Sequence, residues 1–583
     1  MASDESIHGP PRETMRILGI HDGHSSSVCL MEDGHVHCIR QEERFTRHKN
    51  AGGFPKSALM SVIAEYDIGK HGIDLIAFST KKFRSDAMKN RDEVMAVYRS
   101  MFDGNLHSHG RSAVVSGSAT GQESRRAVLN DLGLSRIPVQ FIDHHQCHAA
   151  TAYFGFETQD PTIVLTCDGQ GDGTSASIWK GQNGRLHELA RVGRDDSVGA
   201  IFSYLTFLLG FVPLEHEYKL MGMAPYATGA QASREIADLL HSYFEFDEPS
   251  PLIWRRTAGT LPSELLPREL EQRLRFRRFD HISAGCQIFL EEFLIRWVQR
   301  VVSATGIDAL RAAGGTFMNV KANQRIAELP CVSSFTVFPS CGDESNSLGA
   351  AYVGGHTIGS FQAQPLRSIY SGPLYGTEQI EEAIGHSISG NGVTAKVYPN
   401  IGEKVAELLA EGEIVARFAG RSEFGARALG NRSILADPSN PAAVIRINQM
   451  IKKRDFWMPF APSIMAEHAS SLLSVERPPH SPYMMMSYDV RESARNTLKA
   501  AIHPMDCSVR PQIVSKDQNP EYHALIEEFR RRRNIPAVLN TSFNIHGEPI
   551  VETPDDAVDV FLRSGLMHLA IGNYLLSKGV AGR

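Results

Sequence analysis

The chain has 583 residues, 42% of them hydrophobic and 22% charged, proportions of a soluble globular protein long enough to build two or more cores. Its formal net charge of -6 excludes a nucleic-acid binder of the ordinary basic kind and makes any anion site a local one. Eight scattered cysteines with no CxxC pair exclude a disulfide framework and point to reduced thiols in the cytoplasm.

Residues 1–14 are polar, carry Pro10 and Pro11 and lack an apolar signal core, so they read as a flexible lead-in. Strand-like text follows: Arg16–Ile20, Ser27–Met31, an Asp33-Gly34 turn and His35–Ile39. Ile73–Phe78, Val139–Ile142 and Thr162–Thr166 are apolar runs suited to buried strands, while Ser57–Tyr66 and Ala284–Thr305 carry helical periodicity. A second strand pair, Thr174–Trp179 and Leu186–Ala190, follows Asp168–Gly173. Two strand-glycine-strand units, one from Ile17 and one from Ile163, predict two related halves facing one cleft. The densest apolar stretch, Ile288–Val302, is broken by Glu291, Glu292, Arg296 and Arg300, so no membrane span is expected. Gly359–Gly376, aperiodic and rich in glycine and proline, is the candidate interdomain connection. Beyond it, Gly412–Phe418 and Asn534–Asn540 read as strands, and Pro441–Ile451 and Pro554–Phe561 as helices. The whole is α/β. Arg530–Arg533 end a predicted helix and read as solvated cations near its C-terminus.

Several segments carry chemistry. Asp143-His-His-Gln-Cys-His148 places His144 and His148 at i,i+4, on one helical face, as two imidazoles sharing a metal must be; His145 with His148, at i,i+3, is nearly as good. Two imidazoles leave ligands to find, and Asp168 and Asp343 are the candidate carboxylates. Mixed His and Asp ligation with open positions suits iron, manganese or zinc holding a phosphate. Cys147 and Cys167 read as packing residues. The loops Asp168–Gly173 and Gly314–Asn323 offer Gly169, Gly171, Gly314, Gly315 and Asn319 for wrapping nucleotide phosphates. Their layout is similar to that of the actin-like fold of sugar kinases and chaperone ATPases. His24, in a loop after the first strand, suits either a general base or a satisfied loop histidine.

Gly420-Arg-Ser-Glu-Phe-Gly-Ala-Arg-Ala-Leu-Gly-Asn-Arg-Ser-Ile434 interleaves Arg421, Arg427 and Arg432 with glycines and apolar residues. Guanidinium forks grip phosphate oxygens, and the apolar spacers predict burial beside a bound anion rather than a solvated loop. Lys452-Lys-Arg-Asp-Phe-Trp-Met-Pro-Phe-Ala-Pro462, Arg510 and Asn540-Thr-Ser-Phe-Asn544 add cationic and neutral contacts. Three such patches fit a site for two phosphorylated ligands.

Glu42–Arg47, Asp143–His148, Tyr218–Tyr226, Gly314–Asn323, Glu423–Ser433 and Asn540–Asn544 together closely resemble the O-carbamoyltransferases, the family of nodulation protein U and of enzymes acting on cephamycins, tobramycin and ansamycins. The likeness runs from Met15 to about Lys578. It implies a TsaD-like (Kae-like) domain of the actin-like ATPase (ASKHA) fold over 15–362 and a YrdC-like domain over 363–583. It implies ATP and carbamoyl phosphate as co-substrates of carbamoyl adenylate formation, then transfer to a hydroxyl of a small-molecule natural product such as an aminoglycoside. On the resemblance, Arg421, Arg427, Arg432, Lys453 and Arg510 hold phosphate and ATP, with Asn540 and Ser542 as neutral contacts and Arg427 and Lys453 catalytic. His24 becomes the general base, and His144, His148, Asp168 and Asp343 the ligands of a divalent metal, Fe(II), with Mg(II) accompanying ATP. Two departures stand out: Asp506-Cys-Ser-Val-Arg510 replaces the usual Asp-Gly-Thr-Ala-Arg, and Gly342–Gly349 is bulkier than the glycine-rich family form. A sugar kinase or chaperone-type ATPase of the same fold would leave the arginine-rich region without a purpose. A tRNA threonylcarbamoyl-type enzyme would call for a basic stripe.

Overall fold

β1 (Arg16–His21), β2 (Ser27–Glu32) and β3 (His35–Gln41) form an antiparallel meander because apolar residues fill them on both faces and Asp33-Gly34 closes the second hairpin. Asp33 and Gly34 both take positive φ, +47° and +80°, as that turn requires. The parallel strands β4 (Leu75–Phe78) and β5 (Val139–Phe141) complete a sheet of order β3-β2-β1-β4-β5. The computed structural model describes residues 14–579 apart from 69–71, 83–87, 104–117, 158–159, 249, 360, 389–391 and 477–478; the lead-in over 1–14 thus falls almost wholly outside the described residues.

The same sheet is then built a second time. β6 (Thr162–Gly171), β7 (Thr174–Gln182) and β8 (Arg185–Gly193) form a meander, and β9 (Ala309–Ala313) and β10 (Ser334–Val337) add parallel strands to give β10-β9-β6-β7-β8. Ile17 pairs with Leu75 and Ile20 with Phe78, as Ile163 pairs with Leu310 and Thr166 with Ala313. Two halves of one plan are present, as the repeated strand-glycine-strand units predict.

Two helices lie between the sheets. His144–Phe154 is capped by Asp143, whose side chain accepts from the amides of His145 and Gln146, and it crosses Asn346–Ile358. At the crossing a Cβ on Gly349 would stand 2.0 Å from the Cys147 carbonyl oxygen, so the chains meet backbone to backbone. That contact brings His148 and Asn346 together. The helix read over Ala284–Thr305 spans Phe279–Thr305, and among the described residues no helix is long and apolar enough to cross a membrane.

Residues 393–578 carry a mixed eight-stranded sheet, ordered Val393–Val397, Tyr574–Lys578, His568–Ile571, Val415–Phe418, Arg432–Ala436, Ala537–Ser542, Ala461–Met465 and Gln512–Val514. Separate apolar clusters, one around Leu525 and Phe529 and one around Phe418 and Phe561, cover its faces. Pro554–Arg563 starts with a capping box between Thr553 and Asp556. The helix read as Pro441–Ile451 ends at Ile447 and continues as a π turn, Asn448–Lys452. Arg530–Arg533 form the solvent-facing last turn of their helix, as expected, and make surface pairs with Glu527, Glu528, Glu403 and Asp437.

The connection after Ile358 lies against both regions. Gln364 and Leu366 donate backbone bonds to Gly34 and Gly155, and Ile369 and Gly372 exchange backbone bonds with Phe424 and Ser422. Arg47 donates to the carbonyls of Ile550 (2.8 Å) and Pro549 (3.0 Å), Arg44 to that of Gly425 (2.7 Å), and Lys219 pairs with Asp455 (3.0 Å). The loop carrying Arg427 is therefore pinned from the first region.

Candidate functional site

His144, His148, Asp168 and Asp343 come together where the helices His144–Phe154 and Asn346–Ile358 start beside the end of β6. His148 Nε2 lies 3.2 Å from His144 Nε2, 3.3 Å from Asp168 Oδ2 and 3.4 Å from Asp343 Oδ1. His144 Nε2 lies 3.5 Å from Asp168 Oδ2 and 3.3 Å from Asp343 Oδ1. One ligand atom from each of the four falls within 4.8 Å of the others. Atoms placed about 2.1 Å from a common tetrahedral centre stand about 3.4 Å apart, so the set fits a divalent cation. Two Nε2 atoms aimed at one point, next to two carboxylates, are the donors such a cation takes. Asn346 Nδ2 adds a polar group 3.2 Å from His148 Nε2.

Burial opposes the charged imidazole of His144, but Asp343 and Asp168 outweigh it and raise its pKa to about 10; His148 is raised in the same way. Burial and mutual repulsion favour protonated Asp168 and Asp343, yet the imidazoles overcome both and hold the carboxyls below their ordinary range. A cation with two positive charges would serve these carboxylates in place of the protons. His145 does not join. Its Nδ1 meets Thr166 Oγ1 at 2.7 Å and its Nε2 the Thr174 carbonyl at 3.1 Å, and burial lowers its pKa to about 3. Of the two pairs open to sequence spacing, the structure selects His144 with His148.

His24 lies in the β1–β2 turn. Its carbonyl is 3.0 Å from His21 Nε2, and its Nδ1 is 3.1 Å from Ser25 Oγ. His21 Nδ1 reaches Ser79 Oγ at 2.7 Å, so the turn is tied to the end of β4. Burial lowers the pKa of His24, with Asp343 and Asp168 opposing. The imidazole is therefore favoured in its neutral, proton-accepting form, and His21 Nε2, 3.8 Å from Asp343 Oδ2, sets the turn beside the cluster.

A second constellation is cationic. Arg427, Arg454 and Arg510 lie close enough to repel one another beside Tyr218, and desolvation disfavours the charge of each. Among the described residues neither Arg427 nor Arg510 has a carboxylate partner or a side-chain hydrogen bond, and the Nε of each is buried without an acceptor. Beside Arg454 lies Lys452, whose Nζ donates to Asn544 Oδ1 (2.6 Å), the Asn544 carbonyl (3.1 Å) and Ser542 Oγ (3.1 Å). Burial, then Arg454 and Lys49, push the pKa of Lys452 well down. Crowded, half-buried arginines beside a buried lysine, with no carboxylate bonded to Arg427 or Arg510 among the described residues, call for an anion. Arg427 also feels Cys341 and Glu344, the neighbours of Asp343, so the Ser340–Glu344 turn borders both constellations.

The structure sorts the other sequence candidates. Arg432 lies over the Phe418 ring at 3.6 Å and donates to the carbonyls of Ala419 (2.9 Å) and Gly420 (3.2 Å). Arg421 pairs with Glu65 (3.1 Å) and the Gly372 carbonyl (2.7 Å). Neither belongs to the Arg427 cluster; both hold the loop in shape. Lys453 sits at φ +45° with an exposed side chain, while its neighbours Lys452, buried, and Arg454, half-buried, turn further inward. Asn540 Nδ2 donates to the Ala428 carbonyl (3.0 Å), next to Arg427, and Ser542 contacts Lys452.

Gly171 is glycine because a Cβ there would stand 2.1 Å from the His144 ring, and Gly314, at φ +106°, passes the Cys167 carbonyl. Gly315 comes close to the Asp168 carboxylate, while a Cβ on Gly169 would meet nothing within 4 Å. Asn319 caps the helix Val320–Ala327 and is held by Gln287. Lys452, Arg454 and Tyr218 escaped the sequence reading as site residues. The Lys-x-Arg and Ser-x-Asn spacings, 452/454 and 542/544, were the available signal. All eight cysteines are free, and Cys147 and Cys167 are buried as packing residues.

The family described as Carbamoyltransferase N-terminus matches residues 16–352, and that described as Carbamoyltransferase C-terminus matches residues 406–578. Nodulation protein NolNO of Sinorhizobium fredii is 32% identical over 96% of this chain and 79% of its own length. Nodulation protein U of Bradyrhizobium diazoefficiens is 25% identical, with 91% and 92% covered. A protein of Synechocystis is 31% identical over 95% of each chain. Among solved structures, full-length HypF in its phosphate- and nucleotide-bound form aligns at a TM-score of 0.32 and 16% identity over 60% of this chain and 56% of that one, too loose a fit to argue from.

Proposed function

The chain belongs to the carbamoyltransferase family, and from that premise we propose an ATP-dependent O-carbamoyltransferase with two sites. Residues 363–583 act as a YrdC-like domain that makes carbamoyl adenylate. Water cleaves carbamoyl phosphate to carbamate and phosphate, a carbamate oxygen attacks the α-phosphorus of ATP, and pyrophosphate leaves. Arg427, Arg454, Arg510 and Lys452 bind and neutralise the phosphates, with Ser542 and Asn540 as neutral neighbours. Preorganised cations at developing phosphate charge are what such a step needs from a protein.

Residues 15–362 act as a TsaD-like domain, a reading supported by the duplicated β3-β2-β1-β4-β5 plan. Here the acceptor hydroxyl attacks the carbamoyl carbon, AMP leaves, and His24 takes the hydroxyl proton. His144, His148, Asp168 and Asp343 would hold the divalent metal, Fe(II) on the family reading. Bound there, the metal supplies Lewis-acid charge that orients phosphate oxygens. The acceptor is a hydroxyl of a small natural product, an aminoglycoside being the first to try.

The observation that carries the proposal is the meeting of Arg427, Arg454 and Arg510 with no carboxylate among them, beside a turn that also carries Asp343. The test is to incubate purified protein with ATP and carbamoyl phosphate. Pyrophosphate release that requires both is expected. ADP formed without carbamoyl phosphate, or no pyrophosphate with any acceptor present, sinks the adenylate mechanism.

A further inference from the structure

Asp22 and Asp168 stand at the same step of the duplicated fold. The registers that align Ile17 with Ile163 and Ile20 with Thr166 place each aspartate two residues beyond the last parallel pair, and each is followed by glycine. Their carboxylates are used differently. Asp168 faces His144 and His148. Asp22 is taken by Arg125, with Nε to Oδ2 at 2.6 Å and Nη2 to Oδ1 at 2.7 Å, and both side chains are 1% exposed.

Arg125 comes from the helix Ser118–Asp131. Its third donor, Nη1, reaches the Thr80 carbonyl at 3.1 Å, and its guanidinium lies 4.9 Å from the Phe78 ring centre and 5.3 Å from that of Phe141. One side chain thus ties the turn after β1 to the ends of β4 and β5. A bidentate fork fixes orientation as well as distance, and apolar rings around it keep water from competing. Asp22 is thereby withdrawn from any role as a cation or phosphate-metal ligand, unlike its counterpart Asp168. What the turn presents instead is His24, two residues on, with its carbonyl held by His21 and its Nδ1 by Ser25.

We infer that Arg125 is a positioning residue for the transfer step. Through Asp22 it fixes the β1–β2 turn, which His21 sets beside Asp343 at 3.8 Å, so that His24 is held next to the His144–Asp343 cluster, and it makes the duplicated fold chemically one-sided. The inference rests on the reading of His24 as the general base.

The experiment compares full-length wild type, Arg125→Ala, and the double variant Arg125→Ala/Asp22→Asn, which leaves no unpaired buried charge. Diethyl pyrocarbonate labelling of each histidine is followed by peptide mass spectrometry, and pyrophosphate release from ATP and carbamoyl phosphate is measured in parallel. Both variants should label His24 at least about threefold faster, as a held segment does once it samples open states. The exposed His187 should label at its original rate. Pyrophosphate release should stay within about twofold, because nothing on the arginine side depends on Arg125. Guanidinium chloride, far below denaturing concentration, should refill the pocket between Phe78 and Asp22 in Arg125→Ala and restore slow labelling, which a general loosening of the fold would not allow. Unchanged His24 labelling overturns the inference, and so does a rise at every buried histidine together with lost pyrophosphate release. If the wild type itself releases no pyrophosphate, the proposed reaction fails while the labelling still decides the role of Arg125.

Discussion

The two constellations differ in how their charge is balanced. Beside the end of β6, two imidazoles face two carboxylates, and each kind of group shifts the other toward its charged form. In the second region Arg427, Arg454 and Arg510 crowd one another beside Tyr218, with Glu344 acting on Arg427 from the neighbouring turn and Thr541 accepting from Arg454. The first is a set of donors gathered round a point, suited to a cation. The second is unbalanced and gains most from a multiply charged anion. A chain of net charge -6 thus concentrates positive charge where the folded regions meet, so the site is local, as its composition requires.

The largest effect should come from breaking the unbalanced side. Arg427→Ala should lower pyrophosphate release by about 10³-fold, the scale for a preorganised donor at developing charge. His24→Ala should leave that release within about twofold. Pyrophosphate assays on the two variants check the pair of statements, and a His24 variant that blocks release as deeply as the arginine variant would merge the two sites into one.

Breaking the balanced side comes next. His148→Ala should cost about 10- to 100-fold or more in metal affinity while the arginine site keeps its activity. Metal content after dialysis, read by mass spectrometry, checks the first part and pyrophosphate release the second. Metal retained at wild-type level would show that the four side chains are only a hydrogen-bonded cluster.

A third test separates neighbours. Lys452→Met should reduce pyrophosphate release about tenfold or more, since its ammonium lies with Ser542, Asn544 and Arg454, whereas Lys453→Ala should stay within about twofold. The kinetics of both variants against ATP concentration decide between them. Equal losses would mean that the exposed lysine reaches the nucleotide from outside.

That pair also marks where sequence reading stops. The repeated strand-glycine-strand units and the His144/His148 pair could be read directly, because period-2 and i,i+4 spacing are geometry written in sequence. Asp168 and Asp343 followed as carboxylates near the right elements. Lys452 against Lys453 could not be read this way: the π turn and the left-handed Lys453 that swing one lysine inward come from tertiary packing, and no glycine or asparagine stands at the left-handed position itself. Arg421 and Arg432 misled for a related reason. Arginine in a glycine-rich loop suits a phosphate, but it suits main-chain carbonyls as well, and only the fold shows that Gly420 and Gly372 supply them. Asp22 carried the same Asp-Gly signature as Asp168, and its commitment to Arg125, over a hundred residues away, has no local sign.

The smallest effect is a linkage, and it follows from Lys452. Its pKa in the folded protein is depressed well below 10.5, first by burial and then by Arg454 and Lys49. Between the depressed value and 10.5 the unfolded chain binds a proton that the folded chain does not, so stability rises with pH across that window and is flat above it. Wild type should therefore gain up to about 1.4 kcal/mol per pH unit over Lys452→Met on approaching pH 10.5 from below. Urea titrations of both proteins at several pH values measure the difference. A bound pyrophosphate should reverse the linkage, because a phosphate beside Nζ favours the ammonium and draws a proton in on binding. Calorimetry of pyrophosphate binding in two buffers of different ionisation enthalpy reads that uptake. No proton uptake by wild type, or the same uptake by Lys452→Met, would place the anion away from Lys452 and return the arginine cluster to a purely structural role.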